Sequence, residues 1–407
     1  MKNIIVVGAG ASGMFCALLL RERGFEVTVL ERNDKIMKKI YATGNGRCNF
    51  TNRNINIKNY HGVNPKFAMT AIHRFSNQEA IEYFHKLGIP EIELEEGKIF
   101  PMSLQASSIP LRVEEYAKNI GVKVLLNTYI KDIAKKSQYI IADEKGKKYY
   151  ADEVVIAAGG RAMENSGSDG NGYKLVKKFG IDIIDTHPGI VQLKLDYPYL
   201  KRMDGTKVPG SCTLVVDGKS IRKEYSDILF TRYGISGPAV LQISSEAIRS
   251  LKKGKDVRLS IDILPAMEEN ILYYFLKTNF ENNSSAPLEK SLVGLIHKNL
   301  IIPILRDLNL DKDKKAAEVS NGDIHRIKEK LKNYSFKVLG EKSDKDGQIT
   351  CGGVSTKEIS PKTMELKKRE GLYCIGEIID IDGDCGGYNL QWAWSSAYVC
   401  AMNMDLY

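Results

Sequence analysis

Gly8-x-Gly10-x-x-Gly13, with Glu31 following 23 residues after Gly8, is the pattern near the start of this chain with the most chemistry in it. Gly8 permits a tight turn, Gly10 lets backbone approach a pyrophosphate, and Gly13 allows a helix to pack closely on a strand. Ala9, Ala11 and Ser12 complete the loop, whose helix N-terminus offers amide donors and the positive end of a dipole to phosphate. Glu31, followed by Arg32, is placed to accept ribose hydroxyls and disfavours a 2′-phosphate, because two anions would meet. On this motif alone FAD and NAD are equally served.

A second glycine constellation separates them. Gly371-Leu-Tyr-Cys-Ile-Gly376-Glu377 reads as a strand running into a turn. Asp382-Gly383-Asp384-Cys385-Gly386-Gly387-Tyr388-Asn389-Leu390 then opens the apolar helix LQWAWSSAYVCAM. A second helix N-terminus aimed at the cofactor stabilises negative charge at the N1 and C2-carbonyl edge of a reduced flavin, a feature nicotinamide does not need. The reading is therefore FAD.

The elements that must position these loops follow from hydrophobic patterning. Residues 2–7, 11–23 and 25–30 read as strand, helix and strand, with Gly24 at the left-handed position that ends a helix. Strands follow at 122–127 and 129–134, a hairpin turn at 143–147, and a buried strand at 152–158 that runs into the Gly159-Gly160 loop at a sheet edge. From about 190 to 340 the texture changes: CTLVVDG and VRLSIDIL are strand-like, whereas AAEVSNGDIHRIKEKLKNY is a lysine-rich helix. The expected architecture is α/β: a discontinuous Rossmann-type FAD-binding domain over 1–190 and 341–407, with an inserted mixed β-barrel-like and helical substrate domain over 191–340. The insert is expected to cover the flavin and supply most of the substrate pocket.

Composition narrows the class further. The 407 residues are 43% hydrophobic and 27% charged, with a mean hydropathy of −0.25, and no stretch approaches the ~20 apolar residues of a membrane helix. Three glycines and the Arg21-Glu22-Arg23 run argue against reading the N-terminal segment as a signal peptide. Seven cysteines, an odd count without a Cys-x-x-Cys pair, point to a reducing compartment, the cytoplasm, and away from zinc or a dithiol redox pair. His61, His73, His85, His187, His297 and His325 have no ligand-like spacing, so no metal is expected. The net charge of +9 comes from lysines scattered along the chain, which reads as a solvated surface rather than a nucleic-acid footprint. A small molecule is the expected partner, nucleic acid is not, and the oligomeric state is open.

The chain also resembles the two-domain NAD(P)/FAD-dependent oxidoreductases that include bile-acid-inducible flavoproteins and aminoacetone oxidase, within the glutathione-reductase-like superfamily. The resemblance rests on Thr43-Gly44-Asn45-Gly46-Arg47-Cys48-Asn49-Phe50-Thr51-Asn52, Leu229-Phe230-Thr231-Arg232-Tyr233-Gly234-Ile235-Ser236-Gly237-Pro238, Cys351-Gly352-Gly353-Val354 and Gly386-Gly387-Tyr388-Asn389-Leu390-Gln391. It implies that Gly8, Gly10, Gly13 and Glu31 hold the ADP half of FAD. It further implies that Gly44 to Asn49 and Asp382 to Leu390 surround the ribityl chain and isoalloxazine, and that Ala157, Ala158, Gly159 and Gly160 complete the pocket. Arg232 stands where the family pattern carries histidine, so proton transfer from that position is not carried over.

Arg47 could meet a phosphate or a substrate carboxylate, and Tyr388 is a possible proton donor; these two are the catalytic candidates. Cys48, Cys351 and Cys385 are read chiefly as packed thiols. The implied activity is hydride transfer between flavin N5 and a small organic substrate, with NAD(P)H as transient donor. An oxygen-dependent amine oxidase is the alternative, and a tRNA-directed flavoprotein a lesser one.

Overall fold

The computed structural model describes residues 2–406. Its contacts divide the chain into two compact units, residues 1–188 with 347–407, and residues 189–346.

The first unit is built on a five-stranded sheet. Its elements in chain order are β1 (Asn3–Val7), α1 (Ala11–Glu22), β2 (Glu26–Leu30), β3 (Lys123–Leu125), β4 (Glu153–Ile156), β5 (Leu372–Cys374) and α2 (Tyr388–Asn403). The strand order is β5-β4-β1-β2-β3, and every pairing is parallel. Ile4, Ile5, Val6 and Val7 are all buried, so β1 is covered on both faces and its run is continuously apolar rather than alternating. α1 stops at Gly24, whose φ of +96° suits a residue without Cβ.

Two expectations about the sheet change. The strand ending at Ile156 lies between β1 and β5 rather than at an edge, because residues 372–374 dock outside it from the far end of the chain. Of the two strands expected at 122–134, residues 123–125 form the outer strand of the parallel sheet. Residues Ile130–Lys135 instead join an antiparallel trio with Tyr139–Asp143 and Lys148–Ala151. The turn of that hairpin is fixed by Asp143, whose Oδ1 accepts the Lys145 and Lys147 N–H groups, both at 2.9 Å.

α2 has no polar face because it is buried nearly all round, and Trp392 and Trp394 are among the largest enclosed side chains in the molecule. α1 packs against it through Phe15, whose ring lies 5.5 Å from that of Trp394 in an edge-on contact. The N-terminal and C-terminal segments therefore share one core.

The second unit is a closed antiparallel barrel. Its strands follow the order Leu193–Asp196, Gly234–Ser236, Lys219–Thr231, Lys207–Val216, Val257–Asp262 and Tyr334–Glu341, which closes back on Leu193–Asp196. Val208, Cys212, Leu214 and Val216 alternate into its interior. Helices Glu269–Asn282, Lys298–Asp307 and Asn321–Lys332 add Leu272, Leu276, Ile301, Ile304, Ile327 and Leu331 to the same core. No helix among the described residues is long and apolar enough to cross a membrane.

Candidate dinucleotide site

The first glycine loop leaves the end of β1 and is squeezed between β4 and α1. A Cβ at Gly13 would stand 2.0 Å from the Gly8 carbonyl oxygen, and one at Gly8 would stand 2.5 Å from that of Ala157. At Gly10 a Cβ would meet nothing within 4 Å. Two of the glycines thus exist for packing, and the third faces open space where a group from outside can approach the backbone. α1 begins here with no side-chain cap and no acid in its first turn, which leaves its orphan amides to an external acceptor.

Glu31 is buried at the end of β2, and its carboxylate is already engaged. Oε2 accepts the Ala9 N–H at 2.7 Å, and Oε1 accepts the Asn33 N–H and Nδ2, each at 2.8 Å. The residue therefore pins the glycine loop. Asn33, which sequence reasoning passed over, continues the link by donating to the Ser166 carbonyl at 3.0 Å. Arg32 turns away to an ion pair with Asp169 at 2.5 Å, with its guanidinium 4.9 Å from the Tyr129 ring centroid.

The C-terminal glycines are brought to the same loop. A Cβ on Gly376 would fall 2.4 Å from Ser12 Oγ, so the turn after β5 abuts the first turn of α1. α2 fixes both ends of that glycine: Ser396 Oγ accepts its N–H at 3.0 Å, and Trp392 Nε1 donates to its carbonyl at 3.1 Å. Its neighbour Glu377 is committed to structure, pairing with Lys39 at 2.8 Å and accepting the Thr350 N–H at 2.8 Å.

α2 starts at Gly387 (φ +94°), again with no side-chain cap and no acid in the first turn. A Cβ there would strike the Thr51 carbonyl at 2.4 Å. The loop before the helix is closed by Asn389, whose amide both accepts the Gly383 N–H and donates to its carbonyl, each at 2.8 Å. Asp382 and Gly383 pair in a short antiparallel ladder with His61 and Tyr60.

The loop from Thr43 to Asn52 is laced to α2. Asn52 Nδ2 donates to the Gly386 carbonyl at 2.9 Å, and Trp394 Nε1 to that of Phe50 at 2.9 Å. Thr51 Oγ1 donates to Gln391 Oε1 at 2.6 Å, while Gln391 Nε2 donates to the Phe75 carbonyl and Ser395 Oγ. Gln391 is fully buried, and the only signal for it in the sequence is a polar residue inside an apolar helix. Asn49 donates to the Thr51 and Ile99 carbonyls at 2.8 Å, but its buried Oδ1 has no partner among the described residues. Such an acceptor costs ~1–3 kcal/mol unless a bound group donates to it.

The remaining candidates fall into place around this frame. Thr43 Oγ1 donates to Ile40, and the Gly46 carbonyl accepts the Ala106 N–H. Arg47 is exposed, lies 5.0 Å from the Phe100 ring centroid, and has no acidic partner among the described residues. Tyr388 directs its hydroxyl to the Asn54 carbonyl at 3.4 Å. Gly159 faces Ser168 Oγ, Ala158 is half-buried, and Leu390 packs on the core. Arg232 belongs to the second unit, where its guanidinium and N–H all bond Asp204. The histidines gain acids that the linear chain hides: His61 Nε2 lies 2.8 Å from Asp384 Oδ1, and His85 meets Glu91.

All seven cysteines are free thiols, and all but Cys385 are buried. Burial pushes the Cys48 thiol up to about 12, with a weaker opposing pull from the Thr43 side chain, so it stays protonated and unreactive near neutral pH. Brief treatment of the folded protein with a maleimide at pH 7 is expected to label Cys385 alone, with the others reacting only after denaturation. Mass spectrometry of the peptides reads the result, and rapid labelling of Cys48 in the folded protein would contradict its enclosure.

The family model described as the HI0933-like protein Rossmann domain matches residues 2–403. The chain is 32% identical over 98% of both lengths to a Clostridium scindens protein named 3-dehydro-bile acid delta(4,6)-reductase. It is 33% identical to an Escherichia coli protein named ribosomal RNA dihydrouridine synthase, over 99% of this chain and 98% of that one. Among solved structures, 3-ketosteroid delta1-dehydrogenase from Sterolibacterium denitrificans superposes with a TM-score of 0.51 over 99% of each chain. At 14% identity that likeness concerns the fold alone.

Proposed function

This chain belongs to the HI0933-like Rossmann-domain family of flavin-dependent oxidoreductases, and from that premise we propose that it saturates a carbon–carbon double bond conjugated to a carbonyl, using FAD recharged by NAD(P)H. The observation that supports the cofactor assignment is that α1 and α2 both begin without side-chain caps or acids, while the Gly376 turn, held by Trp392 and Ser396 of α2, lies against Ser12 in the first turn of α1. Free amides and positive dipole ends at both places suit the two negative regions of FAD, its pyrophosphate and the N1–C2 edge of its reduced ring. A nicotinamide dinucleotide would leave the second helix end without an acceptor.

The type of reaction is suggested by the relatives. One is named for removing Δ4,6 unsaturation from a 3-dehydro bile acid and another for making dihydrouridine, and both names describe reduction of a double bond conjugated to a carbonyl. FAD, when bound, supplies the hydride for such a step. The protein would hold the ribose through Glu31 and the pyrophosphate through the α1 amides beside Gly10. The Gly387 to Leu390 amides would steady charge on the ring, and Asn49 Oδ1 would receive a donor from the cofactor. Arg47, a cation without an acid, would engage an anionic part of substrate or cofactor, and Tyr388 would deliver the proton that completes saturation.

Anaerobic spectroscopy tests this. The yellow protein is expected to bleach with NADH or NADPH and to regain its colour on addition of a conjugated enone or a uridine-containing RNA. A flavin that stays oxidised with both nucleotides yet bleaches with a primary amine would overturn the reading in favour of an oxidase.

A further inference from the structure

The lysines that look scattered along the chain are gathered by the barrel. The second unit holds 27 basic and 21 acidic residues, so 158 of the 407 residues carry +6 of the net +9. Barrel register then places part of this charge on one wall, because residues directly opposite on neighbouring strands share a face. Thr213 stands between Lys223 and Ser260, and Ser260 faces Ser335. Val215 pairs with Arg258, and Arg258 with Lys337. Ser211 stands between Tyr225 and Asp262. Inward neighbours such as Cys212 and Leu214 fill the core, so this alternate set faces out.

The three cations on the wall are uncommitted. Lys223 and Lys337 have no ion pair among the described residues, and Arg258 donates only to Ser335 Oγ at 3.1 Å. Tyr225 is 64% exposed beside them, a large ring with no intramolecular reason to be in water.

The wall also holds a built recess. A cavity of about 410 Å³ is lined by Ser211, Thr213, Lys223, Ser260, Glu268 and Lys332, among others. Ser211 is 2% exposed, yet its Oγ has no hydrogen-bond partner among the described residues. Lys332 cannot serve a ligand, since its Nζ is taken by Asp262 at 2.7 Å and by the Leu264 and Met267 carbonyls at 3.0 and 2.9 Å. Glu269 is likewise engaged by Lys328. What remains in the recess is a set of hydroxyls with the uncommitted Lys223 and one carboxylate without an ion pair among the described residues, Glu268. That carboxylate repels a phosphate and accepts from a polyol.

We infer that this wall binds single-stranded RNA, with a ribose in the Ser211 recess, phosphates along Lys223, Arg258 and Lys337, and a base stacked on Tyr225. A chain of sugars carrying 2′-hydroxyls satisfies hydroxyls and carboxylate together, and its phosphates complement the cations. DNA matches the cations but leaves the recess with one hydroxyl fewer to bond. The assignment departs from the surface reading of the lysines. It names RNA as the carrier of the double bond, and in that respect rests on the function proposed above.

Fluorescence anisotropy of the flavin-loaded protein with a short labelled RNA, and with DNA of the same sequence, tests it. RNA is expected to bind at least about tenfold tighter than DNA, the equivalent of one well-placed polar contact. The combined Lys223→Ala, Arg258→Ala, Lys337→Ala variant should lose about tenfold or more in RNA affinity, and its log–log salt dependence should be less steep by about 2, as expected for three lost phosphate contacts. Ser211→Ala should erase the preference for RNA while leaving DNA binding unchanged. Flavin content and bleaching by NAD(P)H should match the parent in each. Equal affinity for RNA and DNA in the parent, or undiminished RNA binding by the triple variant, overturns the inference. If bleaching persists while RNA fails to bind, only this site falls; if RNA binds as described but neither nucleotide bleaches the flavin, the site stands and the proposed reaction falls.

Discussion

Gly10→Val is expected to give a protein that is folded, soluble and colourless. The backbone at Gly10 has φ −73° and ψ −170°, an extended conformation open to any residue, and a Cβ there touches nothing. Nothing in the protein resists the change. The added methyl groups fill the space through which a pyrophosphate must reach the α1 amides, and overpacking by this much costs ~1–3 kcal/mol where the ligand cannot shift. To that is added the loss of every amide bond that depended on close approach, so flavin should be absent after desalting. Gly13→Val makes the contrast, since its Cβ would overlap the Gly8 carbonyl at 2.0 Å within the protein itself. That variant is expected to be insoluble rather than pale. Circular dichroism and the visible spectrum of the two side by side separate a lost ligand from a lost fold. A fully yellow Gly10→Val protein would remove the pyrophosphate from this loop.

That contrast also marks what could be read from residues in order. The strand–helix–strand unit at 3–30 and the helix at 388–403 follow from local signals: continuous apolar runs for elements buried on all sides, and glycines where a chain must turn left-handed or come close. Partnerships over long separations have no such signal. Residues 372–374 turn Glu153–Ile156 into an inner strand, and His61 meets Asp384 across 323 positions. Glu31 and Glu377 are legible as the acids of the two glycine motifs. That one clamps Ala9 and Asn33, and the other is claimed by Lys39 and Thr350, depends on loops whose course is set by packing. The closure of the barrel is illegible for the same reason, and with it the gathering of Lys223, Arg258 and Lys337 on one wall.

Trp394→Ala should be the most destabilising single substitution in the first unit's core that spares glycine. The side chain is fully buried, its ring lies edge-on to Phe15 at 5.5 Å and Phe84 at 5.3 Å, and its Nε1 satisfies the Phe50 carbonyl. Removing a buried tryptophan costs ~3–5 kcal/mol through lost burial and the cavity left behind. In a unit of this size each kcal/mol lowers the melting temperature by about 2–4 °C, so a fall of roughly 6–20 °C is expected. Trp394→Phe keeps most of the packing but strands the Phe50 carbonyl, which alone costs ~1–3 kcal/mol. Because Phe50 lies in the loop that also carries Asn49, this milder variant should weaken flavin retention out of proportion to its loss of stability. Calorimetry with and without added FAD tells the two effects apart. A ligand that binds only the folded state raises the transition by more the tighter it binds, so the stabilisation by FAD should shrink in Trp394→Phe in addition to the fall in its apo transition. If FAD stabilises parent and variant equally, α2 supports the core without positioning the cofactor loop, and the coupling drawn here between core and site is wrong.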